Sequence, residues 1–175
     1  MHGFKRASGG RLLTSRGRGF SLVELMVALA VAAILAGIAI PAFDSFILKN
    51  RLSSYASAFS AGVRVARSEA MKRNLPVTLC RSSDGSTCAG SGSWEQGWIV
   101  LSGTTVIRHQ QAAVAGYLLL SSINTDLTFQ PNGFASIPAS LIVCRSSPLG
   151  SEERVVTVSA TGRPTISKTY TGSCS

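Results

Sequence analysis

A single glutamate, Glu24, lies inside an apolar segment that is long enough to cross a membrane. The residues from Leu25 to Phe43 carry no charge. An ionised carboxylate at bilayer depth costs about 2.5 kcal/mol or more, so such a group is by default functional and has a partner. Cleavage between Gly19 and Phe20 would supply that partner, because it creates a positive α-amino group one helical turn from Glu24. We therefore expect Glu24 to pair with the amino group of a neighbouring copy.

Two other interpretations of this segment compete with the first. An ordinary secretory signal is cleaved after its apolar region, at small residues such as those between Ala30 and Ala39. An unprocessed signal anchor is the second. Neither accounts for a carboxylate within the apolar run or for Gly19-Phe20 on its charged side.

Charge asymmetry predicts the orientation of the segment. The leader before Phe20 carries five basic residues and no acidic one, whereas the far flank begins with Asp44. The amino terminus is therefore expected in the cytoplasm and the remainder in the periplasm.

The formal net charge of the 175 residues is +9. Without the leader, 12 Lys and Arg face 8 Asp and Glu, a net of about +4 that is weak evidence for nucleic-acid binding.

Four cysteines lie beyond the apolar segment, on the side where disulfides persist. Cys80 and Cys88 bracket the Ser/Gly-rich stretch 82–93, which predicts a flexible loop, so these two can meet locally. Cys144, on a predicted strand, is then left for Cys174 near the chain end. We predict bridges Cys80–Cys88 and Cys144–Cys174. Zinc is disfavoured, because seven residues separate Cys80 from Cys88 where common zinc knuckles have two to four.

No catalytic pattern stands out in the sequence. The mature chain keeps one histidine, His109, which lies beside Gln110 and Gln111 and not in a recognisable nucleophile pattern. Trp94 and Trp98 are expected to fill the core or its rim. We predict that the protein is not an enzyme and uses neither a cofactor nor a metal.

Beyond the apolar run, a helical period continues to about Arg73. Pro41 is expected to kink or loosen this helix, and Asn74-Leu-Pro76 to close it. Apolar residues recur three or four positions apart and predict one buried stripe. The stripe consists of Leu48, Leu52, Tyr55, Phe59, Val63, Ala66 and Ala70.

From Pro76 the period changes, and short β-branched or aromatic runs alternate with turn residues, which predicts antiparallel β structure. The runs are Val77–Cys80, Gly97–Leu101, Thr105–Arg108, Tyr117–Leu120, Leu127–Phe129, Leu141–Cys144 and Arg154–Val158. The fold class is therefore α+β. The expected divisions are a basic leader at 1–19, a membrane-spanning half-helix at 20–43, an amphipathic half-helix at 44–74 and a periplasmic β domain at 75–175.

The amino-terminal motif resembles the type IV prepilin signal of pilins and pseudopilins. In that family a prepilin peptidase cuts after the glycine and methylates the new terminal phenylalanine, and the glutamate guides docking into the filament. The resemblance implies cleavage after Gly19, methylation of Phe20 and assembly through Glu24.

The rest of the mature chain resembles the FimT/FimU/GspH family of minor pilins and pseudopilins. The resemblance implies a long amino-terminal helix packed on an antiparallel, β-sandwich-like domain, in a subunit at or near a filament tip. This sequence departs from the pattern of many relatives at Leu101–Thr105, where those relatives carry an acidic turn. The similar segments are Val65–Ala70, Asn74–Cys80, Trp94–Val100, Phe129–Gly133 and Val158–Arg163.

Three functions follow from this resemblance. The first is a tip or priming subunit of a type IV pilus, with the inner membrane and other pilins as partners; the second is a minor pseudopilin of type II secretion. The third is a DNA receptor, because some FimT proteins bind DNA through Gly-Arg-x-Arg. Here Gly162-Arg163 is followed by Thr165 in the fourth position, and Lys168 could supply a second cation, with Tyr170 as a stacking face.

Overall fold

The computed structural model describes residues 19–123, 125–172 and 174, apart from the side chains of residues 39–42. The predicted leader up to residue 18 lies outside them. Helix α1 spans Leu22–Arg73. By length and composition it could cross a membrane, since an 18-residue window within it has a mean hydropathy of 2.6. The backbone stays helical across Pro41, and the kink expected there stays a prediction.

Side chains and backbone conformation define both ends of α1. At its start the Ser21 hydroxyl accepts a hydrogen bond from the Glu24 amide at 3.1 Å, which satisfies one of the free donors of the first turn. At its end Asn74 adopts a left-handed φ of 54°, a common helix terminator, two residues before Pro76. The predicted closure of the helix is thus seen in the backbone.

Eight strands follow the helix and form two antiparallel sheets. One sheet has the order β3-β2-β1-β5 and the other the order β4-β6-β7-β8. A short 3-10 turn, Trp94–Gln96, precedes β2. The strands are β1 Val77–Arg81, β2 Trp98–Ser102, β3 Thr105–Gln110, β4 Tyr117–Ser121, β5 Leu127–Phe129, β6 Ala139–Arg145, β7 Arg154–Val158 and β8 Pro164–Ser167. The predicted α+β class, a long helix followed by antiparallel sheets, is confirmed.

The chain divides into two compact units, and the second, Ala42–Ser175, contains the distal part of α1 and both sheets. One face of this distal part is buried in the core. Gly62 lets the helix approach β2, because a Cβ at Gly62 would overlap the ring of Trp98. Both Trp94 and Trp98 are buried and pack edge-on against Phe59. The buried face consists of Leu48, Leu52, Ala56, Phe59, Val63, Ala66 and Ala70.

Two details differ from the sequence prediction. Tyr55 is only half-buried, because its hydroxyl accepts a hydrogen bond from the Val114 amide at 2.9 Å, and Ala56 takes its place in the stripe. The segment Pro164–Ser167, which is not among the runs predicted to be strands, is strand β8 on the edge of its sheet.

Candidate functional site: assembly segment and arginine groove

The segment from Gly19 to Glu24 is exposed. Gly19, Phe20 and Ser21 precede the first helical turn, and the side chain of Phe20 is 74% exposed. Glu24 lies in that first turn, where a negative charge is favoured by the unpaired amides of the helix end. The Gly19–Phe20 bond therefore lies in exposed, non-helical backbone, and the Glu24 side chain in the following turn is exposed as well.

The large apolar side chains that follow are exposed as well. Each is at least half exposed, so no other residue that the structure describes covers the first half of α1. Contiguous apolar surface on this scale marks a membrane or protein contact. The side chains are Phe20, Leu22, Val23, Leu25, Met26, Val27, Leu29, Val31, Ile34, Leu35 and Ile38.

An ion pair ties the helix to the second sheet just beyond this surface. The two Nη atoms of Arg145, at the end of β6, donate to the two carboxylate oxygens of Asp44, each at 3.0 Å. The hydrogen bond from Arg145 lowers the pKa of Asp44, and the carboxylate in turn raises the pKa of Arg145. Bidentate pairs of this kind fix orientation as well as distance.

The Cys80–Cys88 loop is organised by one carboxylate. Asp84 accepts hydrogen bonds from the amides of Ser86 and Thr87, each at 2.9 Å, from the Thr87 hydroxyl at 2.7 Å and from the Ser82 hydroxyl at 2.9 Å. These bonds, the Thr87 amide first, hold the pKa of Asp84 far below its usual range. The loop that was expected to be flexible therefore has a defined internal hydrogen-bond network.

The structure joins Cys80 to Cys88 and Cys144 to Cys174, the two pairs expected from the sequence. The second bridge connects β6 to the chain end, 30 positions away, and encloses β7 and β8. The carboxylate of Glu153 lies within this enclosed segment and is buried.

Three arginines from distant parts of the chain line one groove of about 340 Å³. Arg64 and Arg67 come from α1, and Arg163 from the turn between β7 and β8. Arg67 is anchored, because its Nε donates to the Gly133 carbonyl at 3.0 Å. No carboxylate lines this arginine groove among the residues that the structure describes. The groove is therefore suited to an anion with several negative charges.

A glycine allows the turn to approach the helix. Gly162 has a φ of 72°, which glycine adopts without strain, and a Cβ there would lie 2.5 Å from the Gly133 carbonyl oxygen and 3.1 Å from Cδ of Arg67. No larger residue fits between these atoms. The Gly162-Arg163 pair thus has a structural reason: the glycine permits the contact and the arginine enters the groove.

The structure does not bring Arg163 and Lys168 together. Lys168 and Tyr170 line a different cavity, of about 320 Å³, which also contains Lys49, Glu152 and Arg154. Glu152 forms ion pairs with Lys49 at 3.3 Å and with Arg154 at 3.2 Å, so that much of the charge in this cavity is already neutralised. Arg163 and Lys168 thus line different cavities, and their joint role in DNA binding stays a prediction.

Arg64 and Arg67 were missed as site residues by reasoning from the sequence. Their spacing of three places them on neighbouring positions of one helix face, which is a signal that was available. Their proximity to Arg163 depends on tertiary packing, which the spacing does not reveal. His109 lies on the exposed side of β3 near Gly85, away from the arginine groove lining.

Comparison with known families gives two matches. Residues 55–162, more than half of the chain, match the family of the type II transport protein GspH. Residues 14–40 match the prokaryotic N-terminal methylation motif. The second match includes the Gly19–Phe20 bond and Glu24.

Individual proteins are similar over shorter stretches or in fold. The chain is 34% identical over 73 residues to the type IV major fimbrial protein FimA of Dichelobacter nodosus, and 33% identical over 66 residues to the type IV major alpha-pilin of Moraxella bovis. These stretches span 42% and 38% of this chain and 42% of each relative. The fold is similar to the type IV minor pilin FimU of Pseudomonas aeruginosa, with a TM-score of 0.54 and 21% identity over 70% of this chain and 92% of that one.

Proposed function

This chain belongs to the GspH family, and on that premise we propose that it is a minor pilin that acts as a tip or priming subunit of a type IV pilus. A prepilin peptidase cleaves the Gly19–Phe20 bond and methylates the new amino terminus. The subunit then assembles with other pilins through the first half of α1. Its role is structural and not enzymatic.

One observation carries this proposal: the first half of α1 is exposed and apolar, yet begins with the carboxylate of Glu24. In a filament the apolar side chains would pack against those of neighbouring helices, where water does not reach Glu24. An unpaired carboxylate there would be costly, and the Phe20 amino group of a neighbour would compensate its charge.

Before assembly, the exposed apolar side chains in the first half of α1 must be buried in a membrane. We infer a single pass of the inner membrane, with the basic leader in the cytoplasm and the β domain in the periplasm. The two disulfides support placement of the β domain in the periplasm, because disulfides persist in an oxidising compartment.

A pseudopilus of type II secretion is the alternative filament. The family description, a type II transport protein, favours it, whereas the similar pilins favour a type IV pilus. Deletion of the gene distinguishes the two: loss of surface pili with normal secretion supports the proposal, and loss of secretion with normal pili supports the alternative.

The proposal is tested first by the mass of the mature protein. We expect an amino terminus at Phe20 that carries one methyl group. An amino terminus after Ala32 or Ala36 would contradict the proposal in favour of a secretory signal.

The second test is incorporation of Glu24→Ala into filaments. Leaving one member of a buried charge pair alone costs about 3 to 5 kcal/mol, so incorporation should fall about 100-fold or more while membrane insertion is unchanged. Ser21→Ala is the matched control, because it removes the helix cap at the same end and keeps the carboxylate. Equal incorporation of Glu24→Ala and the parent would overturn the pairing.

A DNA receptor of a transformation pilus is a second candidate function. It is favoured by the arginine groove, in which Arg64 and Arg163 are exposed and Arg67 is anchored. Arginine contacts to phosphate need no base sequence. The mild net charge and the lack of an aromatic side chain in the groove lining predict weak binding.

Fluorescence anisotropy of the full-length protein in detergent with labelled double-stranded DNA tests this candidate. Up to three phosphate contacts predict a slope of log K against log salt of about −2 to −3. The double variant Arg64→Gln/Arg163→Gln should abolish binding, and Lys168→Gln, in the other cavity, should leave it nearly unchanged. Absence of binding by the parent at low salt would leave the structural role alone.

A further inference from the structure

The Cys144–Cys174 bridge has a buried carboxylate beside it. A carboxylate oxygen of Glu153 and the Sγ atoms of both cysteines lie within 4.8 Å of one another. Glu153 is 2% exposed. A carboxylate in so buried a position is costly unless its oxygens have hydrogen-bond or charge partners.

The two oxygens of Glu153 have different surroundings. Oε2 accepts hydrogen bonds from the amide and the hydroxyl of Thr171, at 2.7 and 2.6 Å. Oε1 is buried and has no hydrogen-bond partner among the residues that the structure describes. Because Thr171 precedes Cys174 by three residues, Oε2 holds the segment that carries this cysteine. Oε1 remains available to accept a proton.

The two cysteines differ in access. Cys144 is 1% exposed, whereas Cys174 is half-buried and can be reached from solvent. The thiolate and not the thiol is the nucleophile in disulfide exchange. A buried thiol has little access to water that could take its proton. Closure of this bridge in the folded domain therefore requires a local proton acceptor near Cys144.

We propose that Glu153 is the proton acceptor for closure of the Cys144–Cys174 disulfide and the positioning residue for the segment that carries Cys174. Cys174 first loses its proton to solvent, and its thiolate attacks a small disulfide oxidant and releases one oxidant thiolate, which takes up a proton from solvent. Cys144 then transfers its proton to Glu153 and attacks Sγ of Cys174, which expels the remainder of the oxidant as its second thiolate. Two electrons pass to the oxidant, and the proton on Glu153 leaves with the departing thiolate.

The test measures closure of each bridge in the same molecules. Full-length protein in detergent is reduced, freed of reductant and oxidised with glutathione disulfide. Samples are alkylated at intervals, and each cysteine pair is quantified by peptide mass spectrometry. In Glu153→Gln the side-chain oxygen can still accept from Thr171, but the amide takes no proton. We expect closure of Cys144–Cys174 to slow about tenfold or more, with accumulation of a mixed disulfide on Cys174, since proton acceptors contribute about 10²-fold or more in general base catalysis.

The Cys80–Cys88 pair is the internal control, and its rate should be the same in both proteins. Glu153→Asp keeps a carboxylate and should restore most of the rate. Thr171→Val removes one donor to Oε2 and loosens the segment that carries Cys174, so it should slow closure of Cys144–Cys174 less than Glu153→Gln does, because the proton acceptor is kept. Equal slowing of both pairs in Glu153→Gln, or no slowing, would overturn the proposal.

A second measurement does not need the reduced variant to fold. By microscopic reversibility, Glu153 returns a proton to Cys144 when the bridge is opened. Reduction of the oxidised, folded Glu153→Gln protein by dithiothreitol should therefore slow at Cys144–Cys174 and not at Cys80–Cys88. Parent-like reduction of both bridges in this variant would contradict the role in proton transfer.

Discussion

The two halves of α1 solve the same problem, the burial of apolar side chains, in different ways. In the first half the apolar residues surround the helix, and each large one from Phe20 to Ile38 is at least half exposed. In the second half they form one stripe, and residues such as Leu52 and Val63 are completely buried by the sheets.

This difference separates folding from assembly. The stripe stabilises the fold of a single chain, because burial of each large apolar side chain contributes about 1.5 to 3 kcal/mol. The first half gains no such burial from the residues that the structure describes, and in the proposed function a membrane or other subunits would supply it. Mutations in the two halves should therefore have separable effects.

Leu52→Ala should have the largest effect on stability. Leu52 is completely buried, so its truncation should lower the free energy of unfolding by about 2 to 5 kcal/mol. Leu29→Ala is the matched change in the first half, where the side chain is 63% exposed, and should leave unfolding of the domain unchanged. Denaturant unfolding of both full-length variants in detergent, followed by tryptophan fluorescence, checks the pair. Equal losses would show that the two halves are not separable.

Gly62→Ala tests how closely the second half packs on the sheet. The new Cβ would overlap two atoms of the rigid Trp98 ring, so the ring or the helix must move. We expect a loss of about 1 to 3 kcal/mol despite the better helix propensity of alanine. Gly37→Ala, where nothing lies within 4 Å, is its control and should not destabilise the domain. A stabilised Gly62→Ala protein would contradict this packing.

Arg145→Gln tests the ion pair that marks the boundary between the two halves. Because Arg145 lowers the pKa of Asp44, the pair contributes stability above the ordinary pKa of about 3.8, and this contribution is lost as the pH falls through the lowered value. The variant should therefore melt a few degrees below the parent at pH 7, and the difference should shrink below pH 4. A difference that stays constant from pH 7 to pH 3 would rule out the carboxylate as its source.

Asp84→Asn should have the smallest effect, confined to the Cys80–Cys88 loop. The asparagine loses a charged acceptor for the amides of Ser86 and Thr87, and the disulfide still closes the loop. Hydrogen exchange at these two amides should accelerate while the melting temperature is nearly unchanged. Unaltered exchange would show that the carboxylate does not organise the loop.

The elements with a clear period were predictable from the sequence. The stripe on α1 and the runs that became β1 to β7 each contain several apolar residues at a regular spacing. β8 was missed because it is an exposed edge strand that begins with Pro164 and carries one large apolar residue, Ile166. Tyr55 was misassigned because its polar hydroxyl reaches Val114, a contact that no helical period encodes.

The candidate functional sites also differ in how far the sequence predicts them. The motif around Glu24 is contiguous in sequence, and the Cys80–Cys88 pair follows from a short loop, so both were visible before the fold. The arginine groove was not, because Arg64 and Arg163 meet only when the turn after β7 packs on α1. Sequence spacing alone contains no information on that contact.

The disulfide between Cys144 and Cys174 also limits how far the protein can be stretched. When a subunit is held at its helix and pulled at its carboxyl terminus, the force passes through the covalent bond from Cys174 to Cys144, so the enclosed 30-position segment is not extended. At about 3.3 to 3.6 Å per extended residue, roughly 100 Å of contour length stays hidden from the force. Strands β7 and β8, which lie in the bypassed segment, carry no tensile load along the chain.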